Sequence, residues 1–134
     1  KSHVTASIIR KVIENDNPLV VWGNGEQKRD LIYVDDFIDA MILLSELKFN
    51  FLEVNIASGE LYSIKEILKT AMNLKNLSTR IIYDKKKPQT VDRIGFDISK
   101  LREFTNFSCK NSLKQGLKKT IDWVENNKEI AFKR

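Results

Sequence analysis

The sequence holds one cysteine, two prolines and five glycines in 134 residues. A single cysteine, Cys109, cannot close an internal disulfide, so a disulfide scaffold is excluded. So little glycine and proline excludes collagen and low-complexity disorder. Long apolar runs are also missing. The longest, residues 40–44, falls far short of the ~18 residues a membrane helix needs. The opening Lys1-Ser2-His3-Val4 carries no apolar block of the signal-peptide kind, so a cytoplasmic chain with no membrane partner is expected. No zinc-ligand spacing occurs, and no metal site is expected.

What remains is ordinary globular material, 42% apolar and 31% charged. At 15.6 kDa the chain fits one domain or a piece of a larger one, and it can bury roughly two-thirds of its unfolded surface. The net charge of +5 is unevenly placed. Residues 1–99 balance, while residues 100–134 hold nine basic and four acidic side chains. That tail reads as an amphipathic helix with its lysines facing water. Aromatic and basic residues do not interleave there, so no nucleic-acid partner is expected. A non-catalytic binding module that uses this basic helix stays open as an alternative of another class.

Periodicity predicts short strands alternating with helices, a mixed α/β class. Val4, Ile8, Ile9, Val12 and Ile13 recur at helical spacing, with Ser2 as a cap and Asn17-Pro18 as the stop. Strands are expected at residues 19–22, 51–56 and 80–83, and an extended apolar stretch at 30–33. Val34, Phe37, Ile38, Met41 and Leu44 make one helical stripe, with Asp35 and Asp36 at the positive end of its dipole. Ser63 with Glu66, and Ser112 with Gln115, have capping-box spacing. Asp97 is placed to cap a short helix. The strands are few and short, which suggests that part of a sheet comes from chain outside this sequence.

The most informative stretch is Trp22-Gly23-Asn24-Gly25-Glu26-Gln27-Lys28-Arg29-Asp30-Leu31-Ile32-Tyr33-Val34-Asp35-Asp36. A Gly-x-Gly bend allows close backbone approach, a tryptophan offers a flat apolar face, and an arginine offers a fork that fits phosphate. That set suits a phosphorylated ligand that contains a ring. A plain turn with a buried tryptophan and a surface arginine accounts for the same residues, so they leave both readings open.

The stretch resembles the extended short-chain dehydrogenase/reductase family, the NAD(P)-dependent nucleotide-sugar epimerases, dehydratases and reductases. The resemblance runs nearly the whole chain. It includes Ser2-His3-Val4 with the helix reaching Arg10-Lys11, then Asn55-Ile56-Ala57-Ser58-Gly59 and Ser63-Ile64-Lys65-Glu66. It continues through Lys87-Pro88-Gln89-Thr90-Val91, where the family often has Arg-Pro-Gly-Asp-Val, and Asp97-Ile98-Ser99-Lys100. It ends in Leu113-x-x-Gly116-Leu117-x-x-Thr120-Ile121-x-Trp123. Gln89-Thr90 and Lys87 depart from the pattern, and Lys87 brings a point charge in place of a fork. Within the family the chain resembles the GDP-L-fucose synthase branch by its His-Val pair and Trp-Gly-x-Gly turn, and UDP-sugar 4-epimerases carry similar stretches.

The resemblance implies that residues 1–134 are a sugar-nucleotide-binding domain without the cofactor-binding half. Its substrate is a nucleotide-diphosphate sugar. Arg29, Lys87, Lys11 and Arg93 are implied as phosphate contacts, Trp22 as a neighbour of the nucleotide, and His3 as a proton-transfer residue near the sugar. NAD(P) and a homodimer are implied for the complete enzyme. This chain alone is expected to bind no cofactor and to be inactive. Tyr83 and Lys87 match the family's Tyr-x-x-x-Lys spacing, but Arg80-Ile81-Ile82 reads as strand and Pro88 opposes helix, so the match is rejected.

Overall fold

The structure, a computed structural model, describes residues 3–87 and 91–133. Among the described residues the order is α1 (Val4–Ile13), β1 (Leu19–Trp22), β2 (Lys28–Asp30), α2 (Val34–Ser45), β3 (Leu61–Ser63), α3 (Ile64–Leu74), β4 (Ile81–Asp84), β5 (Arg93–Ile94), α4 (Ser99–Thr105), α5 (Leu113–Asn126) and α6 (Lys128–Ala131). The mixed α/β class is thus what the chain adopts.

Two small sheets carry the strands. β1 and β4 pair in parallel, from Leu19 opposite Ile81 to Trp22 opposite Asp84. β2 is the centre of a second sheet, antiparallel to β3 and parallel to β5. Helices pack by their apolar stripes. Ile8, Ile9 and Val12 of α1 meet Ile64, Ile67, Leu68 and Ala71 of α3, with Leu117 and Ile121 of α5 closing one core over β1. A second core joins Ala40 of α2 to Ala57, Ile98, Leu101 and Phe107. None of the described helices is long and apolar enough to cross a membrane.

Both capping boxes form. Ser63 Oγ accepts from the Glu66 amide, and Ser112 Oγ from the Gln115 amide, with the return bond present in each. Other expectations change. The ladder at β2 is Lys28–Asp30, so it ends where the extended stretch 30–33 was expected to begin. β4 lies one residue later than residues 80–83. Residues 51–56 form no strand, because no described neighbour offers them a ladder. β3 and β5 were not expected; at three and two residues they are too short to show a period. Asp97 stands one position before the N-cap Ile98, yet its Oδ1 still accepts from the Ser99 amide at 2.9 Å. His3 occupies the N-cap of α1 without a side-chain capping bond, and Ser2 lies outside the described residues.

Candidate functional site

The site is built from the end of β1 outward. β1 delivers Trp22 to the surface, 54% exposed, which removes the reading of this tryptophan as core. Gly23 and Gly25 then take φ of 81° and 78°, the left-handed region that glycine enters at low cost. The bend is pinned at both sides. The Gly23 amide donates to the Asp84 carbonyl at 2.9 Å, and the Gly25 carbonyl accepts from the Lys65 amide at 2.9 Å. A Cβ on Gly25 would lie 2.6 Å from Tyr83 Cε1, so a side chain there meets the ring of β4.

Lys87 comes to Trp22. Its Nζ stands 5.7 Å from the centroid of the Trp22 ring, within cation–π range. Lys11 reaches the same strand from α1, where its ammonium donates to the Val20 carbonyl. The end of the β1–β4 pair therefore brings together an exposed indole and Lys87, while Lys11 sits two residues back along β1.

Arg29 belongs to the other sheet. It is half-buried at the middle of β2, and its Nη1 donates to the Lys28 carbonyl at 2.6 Å. Its cross-strand neighbours are Tyr62 and Ile94. Arg93 pairs instead with Lys28, so by strand alternation Arg93 and Lys28 share the face opposite Arg29. The structure does not bring Arg93 alongside Arg29. His3 is exposed at the far end of α1 from Lys11, about 12 Å away at 1.5 Å per residue. Two open cavities, of about 300 and 380 Å³, lie elsewhere, and none of these six residues lines them.

Three participants escaped the sequence reading. Asp30, next to Arg29, accepts from the Ser58 amide and hydroxyl at 2.9 and 2.7 Å and from the Gly59 amide at 2.9 Å, which ties the 57–60 turn to β2. Tyr62 faces Arg29 across the ladder and donates to Glu60, and burial with that bond pushes its pKa up to about 12. Lys28 meets Arg93. Finding them needed the β2–β3–β5 pairing, and β3 and β5 leave no period in the sequence.

Comparison with known proteins bears on this arrangement. Residues 1–57 match the NAD dependent epimerase/dehydratase family. A GDP-L-fucose synthase 1 of Arabidopsis thaliana is 31% identical over 130 residues, 94% of this chain and 40% of that protein. A UDP-N-acetyl-alpha-D-glucosaminuronate decarboxylase of Bacillus cytotoxicus is 33% identical, over 92% of this chain and 41% of that protein. The chain is similar to members of the NAD-dependent epimerase/dehydratase family over more than nine-tenths of its length. Among solved members of the family, the UDP-glucuronic acid 4-epimerase of Bacillus cereus, in complex with UDP-glucuronic acid and NAD, superposes with a TM-score of 0.81 at 27% identity. That match covers 94% of this chain and 40% of the epimerase. The chain thus spans about two-fifths of the length of the relatives it matches.

The residues present do not fit the family's cofactor. The sequence has no Gly-x-x-Gly-x-x-Gly turn to hold a pyrophosphate at a helix N-terminus. Tyr83 lies within β4 and Lys87 beyond it, so the Tyr-x-x-x-Lys spacing does not place them on one helical face. No hydride step is assigned to these residues. The family departure at Gln89-Thr90 lies outside the described residues.

Proposed function

We propose that this chain is the sugar-nucleotide-binding part of an NAD(P)-dependent nucleotide-sugar enzyme of the GDP-L-fucose synthase kind, inactive by itself. The observation that carries the reading is the exposed Trp22 ring with the Lys87 ammonium over it, at a bend that leads directly into β2 and Arg29. The indole offers a face to the ligand's ring. Arg29 offers a bidentate fork to the diphosphate, with Lys87 and Lys11 as point charges. Arg93 acts, if at all, from the other face of β2, and His3 from the start of α1. In the complete enzyme, a cytoplasmic homodimer, NAD(P) would supply hydride chemistry and would be held by residues outside this sequence.

A UDP-sugar 4-epimerase fragment is the second reading, favoured by the likeness to the Bacillus cereus enzyme. The basic-helix module has less support. Lys118 of α5 is paired with Asp122 at 2.5 Å, and Lys119 with Asp35 at 3.4 Å and over the Tyr33 ring.

Calorimetric titration with GDP, UDP and their sugars tests the reading. Arg29→Ala is expected to weaken the preferred diphosphate about 10-fold or more, as loss of a charged hydrogen bond does. Arg29→Lys should recover part of that loss. Trp22→Ala should weaken binding as well. Heats unchanged in both alanine variants would reject the site, and a preference for UDP over GDP would move the assignment to the second reading.

A further inference from the structure

Arg29 stands in a very small sheet. β2 has three residues, β3 three and β5 two. Pairings this short hold a fixed register only when something outside them ties them down. Arg29 is the middle residue of the central strand, with Tyr62 and Ile94 beside it on one face. Whatever holds β3 in place therefore also sets the wall against which the Arg29 side chain lies. One end of the β2–β3 pairing runs into α3, where the Ile64 amide donates to the Gln27 carbonyl at 3.0 Å. The other end is closed by Asp30. Its Oδ1 accepts from both the amide and the hydroxyl of Ser58, and its Oδ2 from the Gly59 amide.

The turn that Asp30 holds leads straight into β3, and a relay of hydrogen bonds returns from it to Arg29. The Glu60 amide donates to Ser58 Oγ at 3.0 Å, and the Tyr62 hydroxyl donates to the Glu60 carboxylate. Tyr62 is the residue opposite Arg29. The turn is also backed by the second core, since a Cβ on Gly59 would lie 2.7 Å from Ile98 Cδ1. By strand alternation Asp30 belongs to the face opposite Arg29, so it acts through the turn and not on a ligand. We propose that Asp30 is a positioning residue for diphosphate binding, which locks the 57–60 turn and, through Glu60 and Tyr62, the place of the Arg29 side chain. The inference rests on the reading of Arg29 as a diphosphate contact. Two simpler roles predict other outcomes. A carboxylate acting by charge alone repels an anion, so neutralising it would tighten a diphosphate. A purely structural carboxylate would set stability and leave the affinity of the folded chain unchanged. Positioning predicts weaker binding by a folded protein that has lost a negative charge.

The test titrates GDP and UDP into the full chain as wild type, Asp30→Asn, Arg29→Ala and the double variant. Asparagine keeps the size of aspartate but offers one acceptor oxygen, so it can serve Ser58 or Gly59 and not both. Asp30→Asn is expected to weaken the diphosphate about 5-fold, the effect of having to order one long side chain on binding. Circular dichroism should show the fold intact. In the Arg29→Ala background the same change should leave affinity where it is, because the two residues act as one. Nitrogen relaxation of the Arg29 Nε–H in the free protein should show an ordered side chain in the wild type and a mobile one in Asp30→Asn. Ser58→Ala removes one of the three donors and should have a smaller effect of the same sign, which covers the case of an Asp30→Asn that does not fold. Unchanged or tighter binding by Asp30→Asn, a loss that persists without Arg29, or an Arg29 Nε–H equally ordered in both proteins would overturn the inference. Binding that Arg29→Ala weakens and Asp30→Asn leaves alone removes this inference only. No binding by the wild type removes the functional reading, and the order of the Arg29 side chain then decides the positioning by itself.

Discussion

Asp35 and Asp36 are adjacent in the sequence and act in different environments. Asp35 faces water beside Lys119. Asp36 is 1% exposed and accepts from the Lys110 amide at 3.0 Å, the Asn111 amide at 3.2 Å and Asn111 Nδ2 at 3.1 Å. Asp36→Ala strands these donors and should cost about 3 kcal/mol in urea unfolding. Asp35→Ala, an exposed pair, should cost about 0.5 kcal/mol or less. Equal effects would show that burial does not separate the two. The sequence placed both at a helix start, which holds, but the partner at Lys110–Asn111 is more than seventy residues away and leaves no local signal. Tyr62 makes a second prediction at this scale. Burial first, and the bond to Glu60 second, raise its pKa to about 12. A raised folded value contributes stability that is full below the ordinary tyrosine value near ~10 and is lost as pH rises through the folded one. Ultraviolet titration should therefore find one tyrosine ionising late, and Glu60→Gln should move it earlier.

Elements were legible where their signals are local. Ser63-x-x-Glu66 and Ser112-x-x-Gln115 each announce a helix start within four residues, and both boxes form. Strands depend on a neighbour, so residues 51–56 carry strand chemistry without strand pairing, while β3 and β5 pair with little pattern of their own. Ser63→Ala should lower stability by about 1 kcal/mol near neutral pH, the ordinary worth of an N-cap. Its pH dependence follows from Glu66, whose carboxyl is held below the usual range by the Ser63 amide and hydroxyl. That lowering contributes stability above the ordinary carboxylate value, lost as pH falls through the folded one. In the Ser63→Ala variant the acid-side loss should shrink, read as a flatter stability curve below about pH 4.3. An unchanged acid slope would contradict the assignment.

At the scale of the molecule, two cores and two small sheets set the candidate residues at different places. The sequence, through its family resemblance, named the group as one cluster. The structure brings Trp22 and Lys87 together at the end of the parallel pair, holds Lys11 two residues back on β1, puts Arg29 at the centre of the other sheet, and turns Arg93 to the opposite face of that sheet. Grouping of this kind is set by register between strands far apart in the chain, which spacing along the sequence does not encode. Heteronuclear NMR titration with GDP, then UDP, tests the whole account most directly. Shifts are expected at the Trp22 indole N–H, the Gly23 and Gly25 amides, Arg29 and Lys87, stronger with a diphosphate than with the matching monophosphate. Shifts confined to α5, or none at these five residues with either nucleotide, would contradict it.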